Sequence, residues 1–191
     1  MNPLLVIVLG WLALGLETSG IKEMLSLHVG TVAGAPSFVV PVMILIAICA
    51  PPNAALWSAL VLGLFCDLTD PQSATTGDVR FIIGPSAIGF VLAAQFVVLV
   101  RGMVIRRNPL TLVVLSIAAG IIAAICTVAM ITVRQLILHD PIEWSAKHEL
   151  ITRLFSALVT GGSALVMSFI LLPLTPLLGL PTSQAHIRTR R

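Results

Sequence analysis

Asp67 is the residue of this chain best placed to carry chemistry. It ends a charge-free stretch that turns at Pro51-Pro52-Asn53 and runs to Gly63-Leu64-Phe65-Cys66-Asp67. A carboxylate at the edge of so apolar a run is costly unless something pairs with it. It could be a solvated boundary group, an N-cap for the turn that follows, or a buried hydrogen-bonding post. At a helix C-terminus the dipole opposes its charge, and Arg80, at the start of the next helix, could offset that. A proton carrier would want further charges deep within the apolar runs, and there are none. Tethering of helices is therefore the leading reading of Asp67.

The remaining reactive side chains show no catalytic or metal-binding spacing. Cys49, Cys66 and Cys126 lie far apart within or beside apolar runs and read as packing thiols. His28, His139, His148 and His186 fall in loops or the tail, without metal-ligand spacing. No phosphate-binding glycine loop, zinc-protease helix or nucleophile elbow is present. The expectation is a non-enzymatic protein with no cofactor and no metal.

The elements that position Asp67 follow from composition. Hydrophobic residues make up 58% of the 191 and charged residues 10%, against roughly 45–50% and about 25% in soluble domains. So much apolar surface implies that lipid is the solvent. The runs do not alternate as barrel strands would. The expected fold is an all-α integral membrane protein: one six-helix transmembrane domain over residues 1–180, with spans near 3–17, 32–50, 53–67, 82–101, 110–134 and 153–179. Residues 181–191 form a basic tail. The first run lacks a preceding Lys or Arg and a small-x-small cleavage site, so it reads as a span and not a secretory signal. Span two contains Pro36 and Pro41 and span three is barely long enough to cross, which points to a tight hairpin packed inside the bundle, with a re-entrant pair as the alternative. The segment from Glu143 to Arg153, with Trp144, reads as a short amphipathic piece along the outer interface.

Charge sets the expected orientation. If every run crosses, one side carries Arg101, Arg106, Arg107, Arg188, Arg190 and Arg191 and no acid, while the other carries all eight acids and five bases. Short basic loops stay in the cytoplasm, so both termini of this multi-pass membrane protein are expected there. The arginines read as topology and lipid anchors. Such modest basicity requires no nucleic-acid partner.

Small residues recur every four positions at Ala55, Ala59 and Gly63 and end at Asp67, forming one stripe on which another helix can approach closely. Similar rows occur at Gly89/Ala93, Ser116/Gly120/Ala124 and Ser156/Thr160/Ala164/Ser168. Gln95, strongly polar and mid-helix, is expected to point into the bundle and hydrogen-bond there.

The block Gly63-Leu64-Phe65-Cys66-Asp67, then Gly84-Pro85-Ser86-Ala87-Ile88-Gly89-Phe90 opening a helix that ends at Arg101, resembles the bacterial rod shape-determining protein MreD family. The layout is similar over nearly the whole chain, and the distinctive residues span Gly63 to Arg107. The loop Leu68–Arg80 is longer and more acidic than is usual there, and tyrosine is absent. The resemblance implies a scaffold of the cell-elongation machinery that supports lateral peptidoglycan synthesis and cell shape. Its implied partners are an MreC-like protein, a RodA-like glycosyltransferase with its transpeptidase, and an MreB-like filament. The packing or partner-binding residues would be Ala55, Ala59, Gly63, Asp67, Gly84, Pro85, Gly89 and Ala93. MreD is similar in fold to the substrate-binding subunits of energy-coupling-factor vitamin importers, which gives the alternative: a small-molecule-binding transporter subunit.

Overall fold

Proline opens helices throughout this chain, because its missing N–H falls where a helix has no internal partner for one. In the computed structural model, which describes residues 3–29, 32–69, 72–73, 79–80, 82–103, 108–138 and 145–174, four helices begin on proline. These are α1 (Pro3–Thr18), α4 (Pro52–Thr69), α5 (Pro85–Val100) and α6 (Pro109–Leu138). The others are a one-turn α2 (Ile21–Met24), α3 (Val39–Cys49) and α7 (Ala146–Leu174). Two small antiparallel hairpins link helices: β1 (Leu27–Val29) with β2 (Val32–Gly34), and β3 (Gln72–Ser73) with β4 (Val79–Arg80).

The chain is all-α in its long elements. By length and composition, Pro52–Thr69, Pro109–Ile137 and Ala146–Ile170 can cross a membrane, while α1, α3 and α5 are shorter apolar helices. The stretch 32–50, expected as one helical span, is helical only over Val39–Cys49. Val32–Gly34 pairs instead as β2, with Val29 opposite Val32 and Leu27 opposite Gly34. Eleven residues give α3 a length of ~16 Å, about half the hydrocarbon thickness. It ends where Ala50, extended ahead of Pro51, leaves helical geometry.

α3 is the centre of the bundle. Every residue from Val39 to Ile48 is buried, as befits a helix apolar on all sides, and it contacts α1, α4, α5, α6 and α7. Around it, α4 packs on α5, α5 on α6 and α6 on α7. Close approach depends on small residues: a methyl on Gly120 would lie 3.0 Å from Ala157 Cβ, and one on Gly161 would lie 2.6 Å from Ile117.

The expected interfacial piece at 143–153 is not separate. Residues 143 and 144 lie outside the described residues, and Ala146–Arg153 forms the first turns of α7. Neither Pro nor Gly interrupts that stretch. The Glu149 N–H bonds the Ser145 carbonyl at 2.9 Å, and Glu149 pairs with Arg153 one turn on at 2.7 Å. α6 also outruns its expected end at 134, reaching Leu138.

Candidate functional site

The joint between α4 and α5 is built around one carboxylate. Asp67, 5% exposed, accepts the Gly84 N–H at 2.7 Å and the Ala87 N–H at 3.3 Å on Oδ2, and the Ser86 N–H at 3.0 Å on Oδ1. Pro85 has no N–H to offer, so these are the amides that the start of α5 leaves unpaired within the helix. Asp67 is thus a tertiary cap, lent by one helix to the next. Its charge sits at the favourable N-terminal end of the α5 dipole, which offsets its unfavourable position at the end of α4. The side chain of Arg80, expected to play that part, lies outside the described residues. Gly84 has φ +124, a backbone conformation that only glycine adopts without strain.

The four-residue stripe reaches this joint. Ala55, Ala59, Gly63 and Asp67 are all buried, and a Cβ on Gly63 would meet the backbone of Ser86 and Ala87. On α5, Pro85, Gly89 and Ala93 are buried too. Gly89 faces α6, where an added Cβ would lie 3.0 Å from the Ala123 carbonyl and 3.1 Å from Thr127 Oγ1.

A second carboxylate repeats the device. Glu17, at the end of α1, accepts the Phe38 N–H at 2.7 Å and the Ser37 hydroxyl at 3.3 Å, capping α3. The Ala35 N–H donates to Ser156 Oγ at 3.3 Å and the Ser37 N–H to Thr160 Oγ1 at 2.9 Å. With Pro36 lacking a donor, every N–H from Ala35 to Phe38 is paired with a side chain. That is what irregular backbone inside an apolar bundle requires.

At the opposite end, Arg101 Nη1 donates to the carbonyls of Ala50 at 2.6 Å and Ala47 at 3.3 Å. The half-buried guanidinium closes the C-terminus of α3, a more specific contact than the lipid anchoring its position suggests. Arg106, Arg107, Arg188, Arg190 and Arg191 lie outside the described residues.

A cavity of about 680 Å³ opens beyond the N-terminus of α3. It exists because α3 is short: where the helix stops, α4 to α7 continue. Ser37 and Val40 line it on the α3 side, Ala123, Ala124 and Thr127 on α6, Thr152, Ser156 and Thr160 on α7, and Ser86 and Phe90 on α5. Glu17, Glu149 and Arg153 also border it. The sequence signal for this site was the Ser156/Thr160 half of a row that reads equally well as packing.

Gln95 does not point into the bundle. It is exposed and shares its face of α5 with exposed Ile88, Leu92 and Leu99, because Ala93, Ala94 and Val97 take the inward positions. Among the described residues, no cluster of His, Cys, Asp or Glu could hold a metal ion, and His28 and His148 are exposed. No protein-family model, no curated protein and no solved structure matches this chain.

Proposed function

We propose that this chain is a non-enzymatic, multi-pass scaffold of the bacterial inner membrane, of the MreD kind, supporting lateral wall synthesis and cell-shape control. In this reading all six long helices lie in the bilayer, with both termini in the cytoplasm. The two carboxylate-capped joints face outward. Its partners are an MreC-like protein, a RodA-like glycosyltransferase with its transpeptidase, and an MreB-like filament.

Gln95 carries the reading. An amide standing in an apolar, outward-facing stripe is poorly served by lipid, and Gln is a residue type that hydrogen-bonds across membrane helices. A scaffold gives it a partner helix, on the stripe of Ile88, Leu92 and Leu99. The second support is the resemblance itself: its Gly63–Asp67 and Gly84–Gly89 segments meet in one joint.

Affinity purification of the tagged chain from native membranes tests this. Recovery of an MreC-like or RodA-like protein, lowered by Gln95→Leu, is the expected result; recovery of neither removes the reading. A cysteine introduced at Ser183 should resist a membrane-impermeant thiol reagent in intact cells, and labelling there would reverse the orientation. The importer-subunit reading draws its support from the cavity, and an importer ATPase co-purifying with the chain would favour it.

A further inference from the structure

α5 shows its surroundings a single narrow ridge. The exposed residues of the helix are Ile88, Leu92, Gln95 and Leu99, spaced four, three and four, as along the seam where two helices interlock. Ala93, Ala94 and Val97 are fully buried on the side that packs into the bundle. Three positions of the ridge are aliphatic, and the fourth is an amide that makes no hydrogen bond among the described residues.

The height of Gln95 denies it water as well. With α5 in the bilayer, as proposed above, the nearer end of the helix is Val100, five residues on or ~8 Å away. A helical side chain leans toward the N-terminus, so Gln95 leans away from that end. Pro85, at the other end, is ~15 Å off. The amide brings one carbonyl to accept and one NH2 group to donate. A second copy of the chain supplies both at the same depth. A two-fold axis along the membrane normal sets the shared patch against itself, so the two α5 helices run parallel and Gln95 meets its own counterpart. An unrelated helix would have to carry a polar side chain at that same height.

We propose that the chain forms a parallel homodimer through the outward ridge of α5, held in register by a reciprocal hydrogen-bonded pair of Gln95 side chains. Each amide donates to the carbonyl of the other, and Ile88, Leu92 and Leu99 of the two copies close around the pair. One polar pair in an apolar seam also fixes register and orientation. The inference rests on reading this ridge as a helix-binding surface, and it names the occupant. A dimer found without any MreC-like or RodA-like protein would remove the larger scaffold and leave the pair standing. Recovery of those proteins with a monomeric chain would do the reverse.

Disulfide trapping of the full chain in native membranes tests the dimer. The chain carries Cys49→Ala, Cys66→Ala and Cys126→Ala together with one introduced cysteine. Leu92→Cys and Leu99→Cys lie on the ridge to either side of Gln95, and Val166→Cys, exposed on α7, is the control away from it. Copper-phenanthroline oxidation should link the Leu92→Cys and Leu99→Cys chains to themselves about 5-fold or more faster than the Val166→Cys chain. Adding Gln95→Leu should slow the linking about 5-fold or more, as expected for losing amide hydrogen bonds between membrane helices. Gln95→Asn, which keeps a shorter amide, should retain part of it. Energy transfer between two fluorescently tagged populations of the chain, diluted in lipid vesicles with the native cysteines in place, reads the same equilibrium. There Gln95→Leu should dissociate at a protein-to-lipid ratio about 5-fold or more higher. Equal linking on and off the ridge, linking of Leu92→Cys chiefly to a different protein, or energy transfer unmoved by Gln95→Leu would overturn the proposal.

Discussion

Gly63 and Ala87 meet backbone to backbone: a methyl on Gly63 would lie 2.5 Å from the Ala87 Cα and 2.9 Å from the Ser86 carbonyl oxygen. No rotamer relieves such a contact, because both obstructing atoms belong to the main chain. Gly63→Ala should therefore force α4 and α5 apart at the joint and cost about 1–3 kcal/mol. Gly15→Ala on α1, where nothing lies within 4 Å, should cost nothing. Thermal unfolding of both variants in the same detergent checks the contrast, and equal behaviour would refute the close-packing account.

Asp67→Ala strips three α5 amides of their acceptor at once, and Asp67→Asn keeps one neutral acceptor in place. The expected losses are about 2–3 kcal/mol for Ala and about 1 kcal/mol for Asn, since charged acceptors are the stronger ones. Chemical denaturation in mild detergent reads the order. Asn as damaging as Ala would mean that the charge, and not the hydrogen bonds, carries the joint.

Glu17→Ala should release the amide of Phe38 and loosen the first turn of α3, while Glu17→Gln should hold much of it. Hydrogen exchange at residues 37–40 should rise about tenfold or more for Ala, the counterpart of about 1.4 kcal/mol or more in local opening. The turn at 50–51 should be unaffected, and a rise spread evenly over α3 would argue against a local cap.

Arg101→Ala should act at the other end of the same helix. It leaves the Ala47 and Ala50 carbonyls without their cationic donor, for an expected loss of about 1–2 kcal/mol. Arg101→Lys should recover part of it, since a single ammonium can still reach one carbonyl. If Arg101 served only as a lipid anchor, Lys would be equivalent to Arg in unfolding midpoint.

The sequence made the class legible, and much of the joint. Long uncharged runs announced the apolar helices, and the spacing from Ala55 to Asp67 put the small residues and the carboxylate on one face. What it could not show was tertiary. That Asp67 and Glu17 reach the first amides of other helices depends on hydrogen bonds across 17 to 21 residues of chain, which no local pattern encodes. Gln95 misled because polarity alone suggested the interior, whereas its phase relative to Ala93, Ala94 and Val97 set it outward. The 32–50 run hid a strand, because apolar runs of that kind look alike until Gly34 and Pro36 are read as interruptions. The cavity was hardest to see. It is the space left by a central helix shorter than its neighbours, lined by Ser and Thr that elsewhere in such bundles only pack.

The caps at Phe38 and Gly84 have a consequence for how the chain is built. From Pro3 to Val100 it runs helix, the one-turn α2, hairpin, helix and then helix, hairpin, helix, with α1 and α4 both ending at the hairpin side of the bundle. In each round an acid at the close of the first helix secures the opening of the helix beyond the hairpin. Leu12-Ala13-Leu14-Gly15-Leu16 and Leu60-Val61-Leu62-Gly63-Leu64 echo one another just before those acids. The first half of the protein thus uses the same acid-to-amide clasp twice, once to seat the central helix α3 and once to join α4 to α5 beside it.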